Sequence, residues 1–266
     1  MVEPSARIRP VEVADQKLIR FMVGKAGMEP IAIANRKLYG NLLVLGLWIG
    51  LSAVFVQYMN WWPKPEHGLL GWLAPIPAFG TLSIAFMFAI DWLNRWGFED
   101  RSVHVLHRPD IVDIPAYYSR SPSSGFWVLE YDNRFVGMIA LDASLDAEVN
   151  EQIAPGTLQK DRNGQVKMTK GTSKVATIRH LYVDEPYRKA GLQEDLLERA
   201  LKHAFAADSK LETVRAAELS LQQYVSDALR KFGFEFEKKG DKIGTLRWQE
   251  NVWRLERSRW TSLQKR

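Results

Sequence analysis

Cysteine is absent from the 266 residues. No disulfide can form, and there is no thiolate to bind a metal or to act as a nucleophile. No metal site is expected on other grounds either. Asn-x-Ser/Thr glycosylation acceptors are also missing. Both absences fit a domain that faces the cytosol. No cleavable leader is expected, because the N-terminus is polar and the first long apolar run starts near residue 38. A large charge excess is lacking: the formal net charge is +5 and the pI is near 9.3. So mild an excess suits an anionic cofactor or a membrane surface, and it is too dispersed to argue for nucleic acid. Repeats and low-complexity tracts are missing as well.

Charge is absent over two long runs, residues 38–62 and 68–90, separated by a short loop with Lys64, Glu66 and His67. A helix of about 22 residues spans ~33 Å, the thickness of a bilayer core. Trp61, Trp62, Trp72 and Trp92 stand where an aromatic belt would. Pro75 and Pro77 are expected to delay or kink the second helix. A pair of buried helices is the alternative. The loop allows only a tight hairpin, so both outer ends face one side. Those ends carry Arg36, Lys37, Arg95 and Arg101, whereas Lys64 in the loop is offset by Glu66. The positive-inside bias then puts both termini in the cytosol.

Hydrophobic residues make up 46% of the chain, enough for a packed core, and the length suits one large domain or one domain with an appendage. Its centre is the run from Ala176 to Ala206. Ile178, His180 and Tyr182 alternate with Arg179, Leu181 and Val183, which is the period of a strand. Asp184-Glu185-Pro186 marks a turn. Leu192, Leu196, Leu197, Ala200, Leu201 and Ala204 then recur at helical spacing. A helix start offers free N–H groups and partial positive charge, so anions bind there. Gly191 lets a ligand approach the backbone, and Arg188 and Lys189 add charge. An ordinary strand–helix connection with solvated basic residues shares this pattern.

The remaining elements read in order. Arg7–Arg9 is a short strand, and Asp15 caps a helix carrying Leu18, Ile19, Met22 and Val23. Residues 95–115 read as a polar connector. Phe126–Tyr131 and Phe135–Leu141 form a hairpin through Asp132-Asn133-Arg134. Residues 146–174 read as a polar loop. Thr213–Glu218 is a strand, Gln222–Phe232 a helix ended by Gly233, and Phe234–Glu237 a strand. Trp248–Trp260 supplies a last strand before a basic tail.

Leu181-Tyr182-Val183 followed by Arg188-Lys189-Ala190-Gly191 resembles the acetyl-CoA motif of the GNAT acetyltransferases, a hydrophobic strand and then R/Q-x-x-G-x-G/A. The resemblance implies an α/β GNAT fold, with a mixed, mostly antiparallel central sheet flanked by helices. It implies that Leu181, Tyr182 and Val183 pair with the pantetheine arm. Arg188, Lys189, Ala190, Gly191, Leu192 and Gln193 would hold the pyrophosphate. The last motif position, usually Gly or Ala, is Gln193. With two spans inserted after the first helices, the chain looks like the membrane-anchored endoplasmic-reticulum acetyltransferases that act on cysteine S-conjugates or protein lysines. Asp110-x-x-Asp113-Ile114, Phe126-Trp127-Val128, Val136-Gly137 and Gly233-Phe234 agree with that group. Residues 1–36 would then be the first strand and helices of the domain, 37–94 a transmembrane hairpin, and 95–266 the remainder.

Acetyl transfer from a thioester needs a neutral amine, a donor for the oxyanion and a proton for the leaving thiolate. Histidine is the side-chain type suited to general-base work at physiological pH, and His180 is the candidate base; a structural histidine on a sheet face is the alternative. Tyr182 is a candidate acid, or else a core tyrosine. The family's thiolate-protonating tyrosine, four residues before the final glycine, would fall on Leu229. The expected function is acetyl transfer from acetyl-CoA to an amine on an amphiphilic molecule or a protein. The rival, motivated by Gln193 and Leu229, is a non-catalytic GNAT-fold subunit or chaperone of a membrane complex.

Overall fold

The computed structural model describes residues 6–132, 134–147 and 170–264. Most of the loop expected at 146–174 lies outside the described residues. The strands are β1 (Ala6–Pro10), β2 (Gly125–Tyr131), β3 (Arg134–Ser144), β4 (Thr172–Val183), β5 (Thr213–Leu219), β6 (Glu235–Ile243) and β7 (Trp248–Glu256). The helices are α1 (Gln16–Met28), α2 (Pro30–Tyr39), α3 (Leu42–Tyr58), α4 (Ile76–Leu106), α5 (Pro109–Val112), α6 (Ile114–Tyr118), α7 (Leu192–Ala207), α8 (Gln223–Lys231) and α9 (Arg257–Leu263). Contacts divide the chain into two compact units. One comprises Met1–Met28, Asp100–Ile243 and Arg247–Arg266; the other comprises Glu29–Glu99 and Gly244–Leu246.

The first unit is built on a seven-stranded sheet of order β1-β2-β3-β4-β5-β7-β6. Every neighbouring pair is antiparallel except β4 with β5. This is the mixed, mostly antiparallel α/β arrangement expected. On one face Leu196, Leu197, Ala200, Leu201 and Ala204 of α7 pack with Val225, Ala228 and Leu229 of α8 and Trp260 of α9. On the other, Ile19, Met22 and Val23 of α1 pack with Ile111, Ile114, Tyr117 and Tyr118 of α5 and α6. Their spacing puts each apolar stripe on one side of its helix. The hairpin turn forms as expected, with Asp132 at φ 49°, a conformation that Asp tolerates.

The tail differs from expectation. Residues 257–263 are helical, with Trp260 buried against Phe205 and Phe232, and Arg257 anchors the segment. Its guanidinium donates to the carbonyls of Leu211, Phe205 and Asp208, which ties α9 to the end of α7.

In the second unit, Asn41 caps α3 by accepting from the N–H of Leu43 at 2.9 Å. The second apolar helix starts at Ile76 with Pro77 in its first turn, where proline costs little. It runs on through residues 95–106, expected as connector. Arg95 pairs with Asp91 and Glu99 at i,i+4 spacing and so favours continued helix. Asn35 of α2 donates to Asp91 at 2.9 Å and accepts from Asn94 at 2.7 Å. Among the described residues, Gly68–Leu106 is the one helical stretch long and apolar enough to cross a membrane. The 17-residue α3 passes that test only together with the helix preceding it, from which it is bent by 64°.

Candidate functional site

The site is built on β4, whose alternation is interrupted. Ala140 and Leu141 of β3 oppose His180 and Ile178, so Arg179 is an extra residue on β4. Such a bulge turns the following side chains onto the opposite face. Ile178 therefore lies on the α7 face with Leu181 and Val183, while Tyr182 joins the α1 and α6 face. This corrects the expectation that Ile178, His180 and Tyr182 share a side.

Next to the bulge the sheet opens. The β4–β5 pairing ends at Ile178↔Ala216, although both strands continue. The Asp184 N–H donates to Val136 of β3. By strand alternation, the N–H and C=O groups of Leu181 and Val183 face away from β3, into the opening. An extended, amide-bearing chain would find strand-like partners there.

Below the opening, residues Glu185–Ala190 form a tight turn and α7 starts directly after Gly191. Gly191 has φ +78°, the left-handed region. A Cβ there would meet only the Glu194 carboxyl, at 3.8 Å, so the space above the glycine is open. No side chain caps α7, and its first N–H groups at Leu192 and Gln193 take no acceptor among the described residues. The Leu192 side chain is in the core, which leaves only its backbone for a ligand. Arg188 donates from Nε to the Val183 carbonyl at 2.8 Å and lies 3.9 Å over the Tyr224 ring. Lys189 and Ala190 are exposed.

Gln193 folds inward. Its Nε2 donates to the Arg188 carbonyl at 3.2 Å, and its buried Oε1 has no hydrogen-bond partner among the described residues. None of its atoms comes within 4 Å of the Gly191 Cβ position, so the long side chain leaves the cradle open. Glu194 opposes an anion, but Lys231 pairs with it. The loop thus fits a diphosphate: free N–H groups, an open glycine, Arg188 and Lys189. Gly191→Trp is expected to weaken acetyl-CoA binding at least about tenfold. A side chain at positive φ costs about 1–2 kcal/mol and the indole would fill the cradle. Calorimetric titration of the variant beside the parent protein checks this.

On the α1 and α6 face the bulge holds a buried polar network. His180 Nε2 meets Asp110 Oδ2 at 2.8 Å, and Tyr118 donates to the same oxygen at 3.3 Å. Burial alone would raise the Asp110 pKa, but the hydrogen bond and charge of His180, with Arg179 and Arg108, hold it below the usual carboxylate range. Arg179 donates from Nε to Asp142 Oδ2 at 2.8 Å, and Tyr117 donates to that oxygen at 2.7 Å. Arg120 lies 3.8 Å over the Tyr117 ring and donates to Asp146 at 2.6 Å. Burial pushes the Tyr117 and Tyr118 hydroxyls above their ordinary value, so both stay neutral donors.

The candidate residues do not all converge. Tyr182 is buried and donates to Asp184 at 2.8 Å, which also pairs with Lys25 at 2.7 Å. That phenol fixes the turn after β4 and does not lie at the opening. Leu229 is fully buried in the α7 and α8 core. Asp142, Arg179, Arg120, Tyr117 and Glu218 were not singled out. The readable signal is a charged residue at the end of the apolar run Phe135–Leu141, Asp142, and a second, Arg179, within the strand of mixed polarity that follows.

A sequence model of the acetyltransferase (GNAT) family matches residues 86–234. No curated protein sequence matches. Among solved structures, the chain is similar to a ribosomal-protein-S5-alanine acetyltransferase from Vibrio fischeri. The identity is 11% and the TM-score 0.46, over 96% of this chain and 94% of that one. It is similar to the acetyltransferase yncA of Salmonella typhimurium with its cofactor acetyl-CoA, at 11% identity and TM-score 0.45, over 95% and 94%. It is similar to a GNAT-family acetyltransferase from Streptococcus pneumoniae, at 12% identity and TM-score 0.39, over 55% and 74%.

Proposed function

Since the chain belongs to the acetyltransferase (GNAT) family, whose model spans more than half of it, we propose that it is a membrane-anchored enzyme that acetylates an amine of a small amphiphilic molecule or a protein. The observation that carries this reading is the opened β4 edge, ending in an uncapped helix start beside an open glycine. Acetyl-CoA is the donor, and when bound it supplies an acyl group activated as a thioester.

The roles of the chain's own groups follow. Leu181 offers a backbone donor and acceptor to the extended arm and Val183 its N–H, while the Val183 carbonyl is held by Arg188. Arg188, Lys189 and the N–H groups of Leu192 and Gln193 hold the diphosphate. His180, oriented by Asp110, takes the proton from the attacking amine. A backbone N–H of β4 at the opening supplies the oxyanion donor.

In this reading, residues 37–94 form a hairpin that enters the endoplasmic-reticulum bilayer, with both termini and the catalytic domain in the cytosol. The support is exposed apolar surface. Leu42 and Leu43 are each 83% exposed, and Leu47, Val54, Ile84 and Phe88 also face outward. Apolar surface on this scale calls for lipid or a partner. Anchoring would favour membrane-borne acceptors by proximity. In sealed microsomes, carbonate should fail to extract the chain, while protease added outside should digest the acetyltransferase domain. Carbonate extraction, or full protection, contradicts this placement.

A second reading is a non-catalytic subunit or chaperone of a membrane complex, favoured by Leu229 being core. Activity separates the two. Because the chain has no cysteine, a thiol-reactive dye reports only coenzyme A released on turnover. The enzyme reading expects amine-dependent thiol release with acetyl-CoA across a panel of amphiphilic amines and lysine peptides. The same rate with and without every amine supports the second reading.

A further inference from the structure

Leu229, at the position where the family carries its tyrosine, cannot protonate the departing sulfur, and a second buried acid stands near the opening. Glu218 of β5 is 4% exposed. Its Oε1 accepts from Asn251 Nδ2 at 3.0 Å and Trp253 Nε1 at 3.3 Å. Its Oε2 is buried and has no hydrogen-bond partner among the described residues. An ionised oxygen in that position is costly, whereas a protonated one is a donor awaiting an acceptor. Burial raises this carboxyl above its ordinary 4.5, against the pull of Asn251, Trp253 and Arg230.

The register places it. Ala216 is the last β5 residue paired with β4, and Glu218 follows two positions later, on the same face as Val214 and Ala216. That is the face of α7 and α8. Counted through the bulge, which adds one residue to β4, Glu218 lies about level with Leu181 across the opening, one position past His180. The bulge at Arg179 has turned His180 to the opposite face, toward Asp110. The opening is thus flanked by a histidine on one side of the sheet and, on the other, by a carboxyl that β7 holds through one oxygen while the other stays unsatisfied, an arrangement that separates a base from an acid.

We propose that Glu218 is the proton donor to the departing thiolate, in place of the missing tyrosine. The amine nitrogen forms the C–N bond as the C–S bond breaks. The C–S electron pair goes to sulfur, which takes the Glu218 Oε2 proton. The amine's proton passes to His180. Solvent reprotonates Glu218 and deprotonates His180, so the cycle balances. This proposal rests on the opening being the acetyl-CoA site.

The test uses free coenzyme A bound to the full chain in detergent. The ultraviolet absorbance of its thiolate is followed up to about pH 9, below ordinary tyrosine ionisation, and gives the thiolate-to-thiol ratio at each pH. With no protein cysteine, the thiolate signal belongs to the ligand alone. Once its proton has moved to sulfur, Glu218 is an anion that opposes a second negative charge beside it. The bound thiol should therefore ionise at higher pH in the parent protein than in Glu218→Gln, with about a tenfold difference in acid constant. Glu218→Asp, with its carboxyl drawn back, should fall between them and decides the matter if the Gln variant does not fold. Bound coenzyme A with the same thiolate-to-thiol ratio at about pH 9 in the parent and the folded variants overturns the assignment of Glu218 and leaves the cofactor site standing. No coenzyme A binding by the folded parent overturns the cofactor reading, and the assignment with it.

Discussion

Asp142→Ala is expected to cost about 3–5 kcal/mol of folding stability, the usual penalty for breaking a buried ion pair from one side. Asp142 and Arg179 are each 1% exposed at the side chain, and Arg120 is 2% exposed. One Asp142 oxygen accepts from Arg179 and Tyr117, and the other accepts from the Ser144 N–H at 3.0 Å and its hydroxyl at 2.6 Å. Removing the carboxylate leaves Arg179 without that counter-charge and Tyr117 and Ser144 without their acceptor. The loss reaches the site, because Arg179 is the bulged residue that aims His180. Arg179→Met together with Asp142→Leu removes both charges and should cost less than Asp142→Ala alone. Denaturant midpoints of the three proteins in one detergent check this. A loss under about 1 kcal/mol for Asp142→Ala would mean that the network is not closed as described.

His180→Gln is expected to lower kcat by about 10²–10⁴-fold, the range for removing a general base. Acetyl-CoA affinity should stay within about twofold, because His180 points away from the β4 edge that faces the ligand. Glutamine retains a donor for Asp110, so the local packing has a substitute. Asp110→Asn tests the same pair from the other side and should lower kcat less, since it disturbs only orientation. Equal loss of kcat and of acetyl-CoA affinity in His180→Gln would identify His180 as a structural residue of the sheet. The base role would then belong to another group.

Much of the architecture was legible because its signals are local. The periodicity of α1, α7 and α8, the Gly233 cap (φ +80°) and the hairpin turn each depend on a few neighbouring residues. The failures share a cause. The side to which His180 points depends on a bulge set by pairing with Ala140 and Leu141, some 40 residues away in sequence. No pattern within β4 marks it. Nothing within either strand alone pairs Arg179 with Asp142; the fold brings the two charges together. Residues 95–106 and 257–263 are polar enough to read as connector and tail. The first is supported as helix by i,i+4 ion pairs, and the second is held by Trp260 packing against Phe205 and Phe232 and by Arg257 meeting three carbonyls, contacts that no local pattern reveals. Gln193 departs from a small residue, yet its amide folds into the turn and leaves the glycine open.

The first measurement to make is calorimetric titration of acetyl-CoA into the full chain in detergent, with Gly191→Trp alongside. The central claim is that the opened β4 edge and the Gly191 cradle form a working donor site. It predicts saturable binding at about micromolar strength, near −8 kcal/mol, weakened at least about tenfold in the variant. A folded parent protein that takes up no acetyl-CoA, or a variant that binds as tightly as the parent, would contradict it.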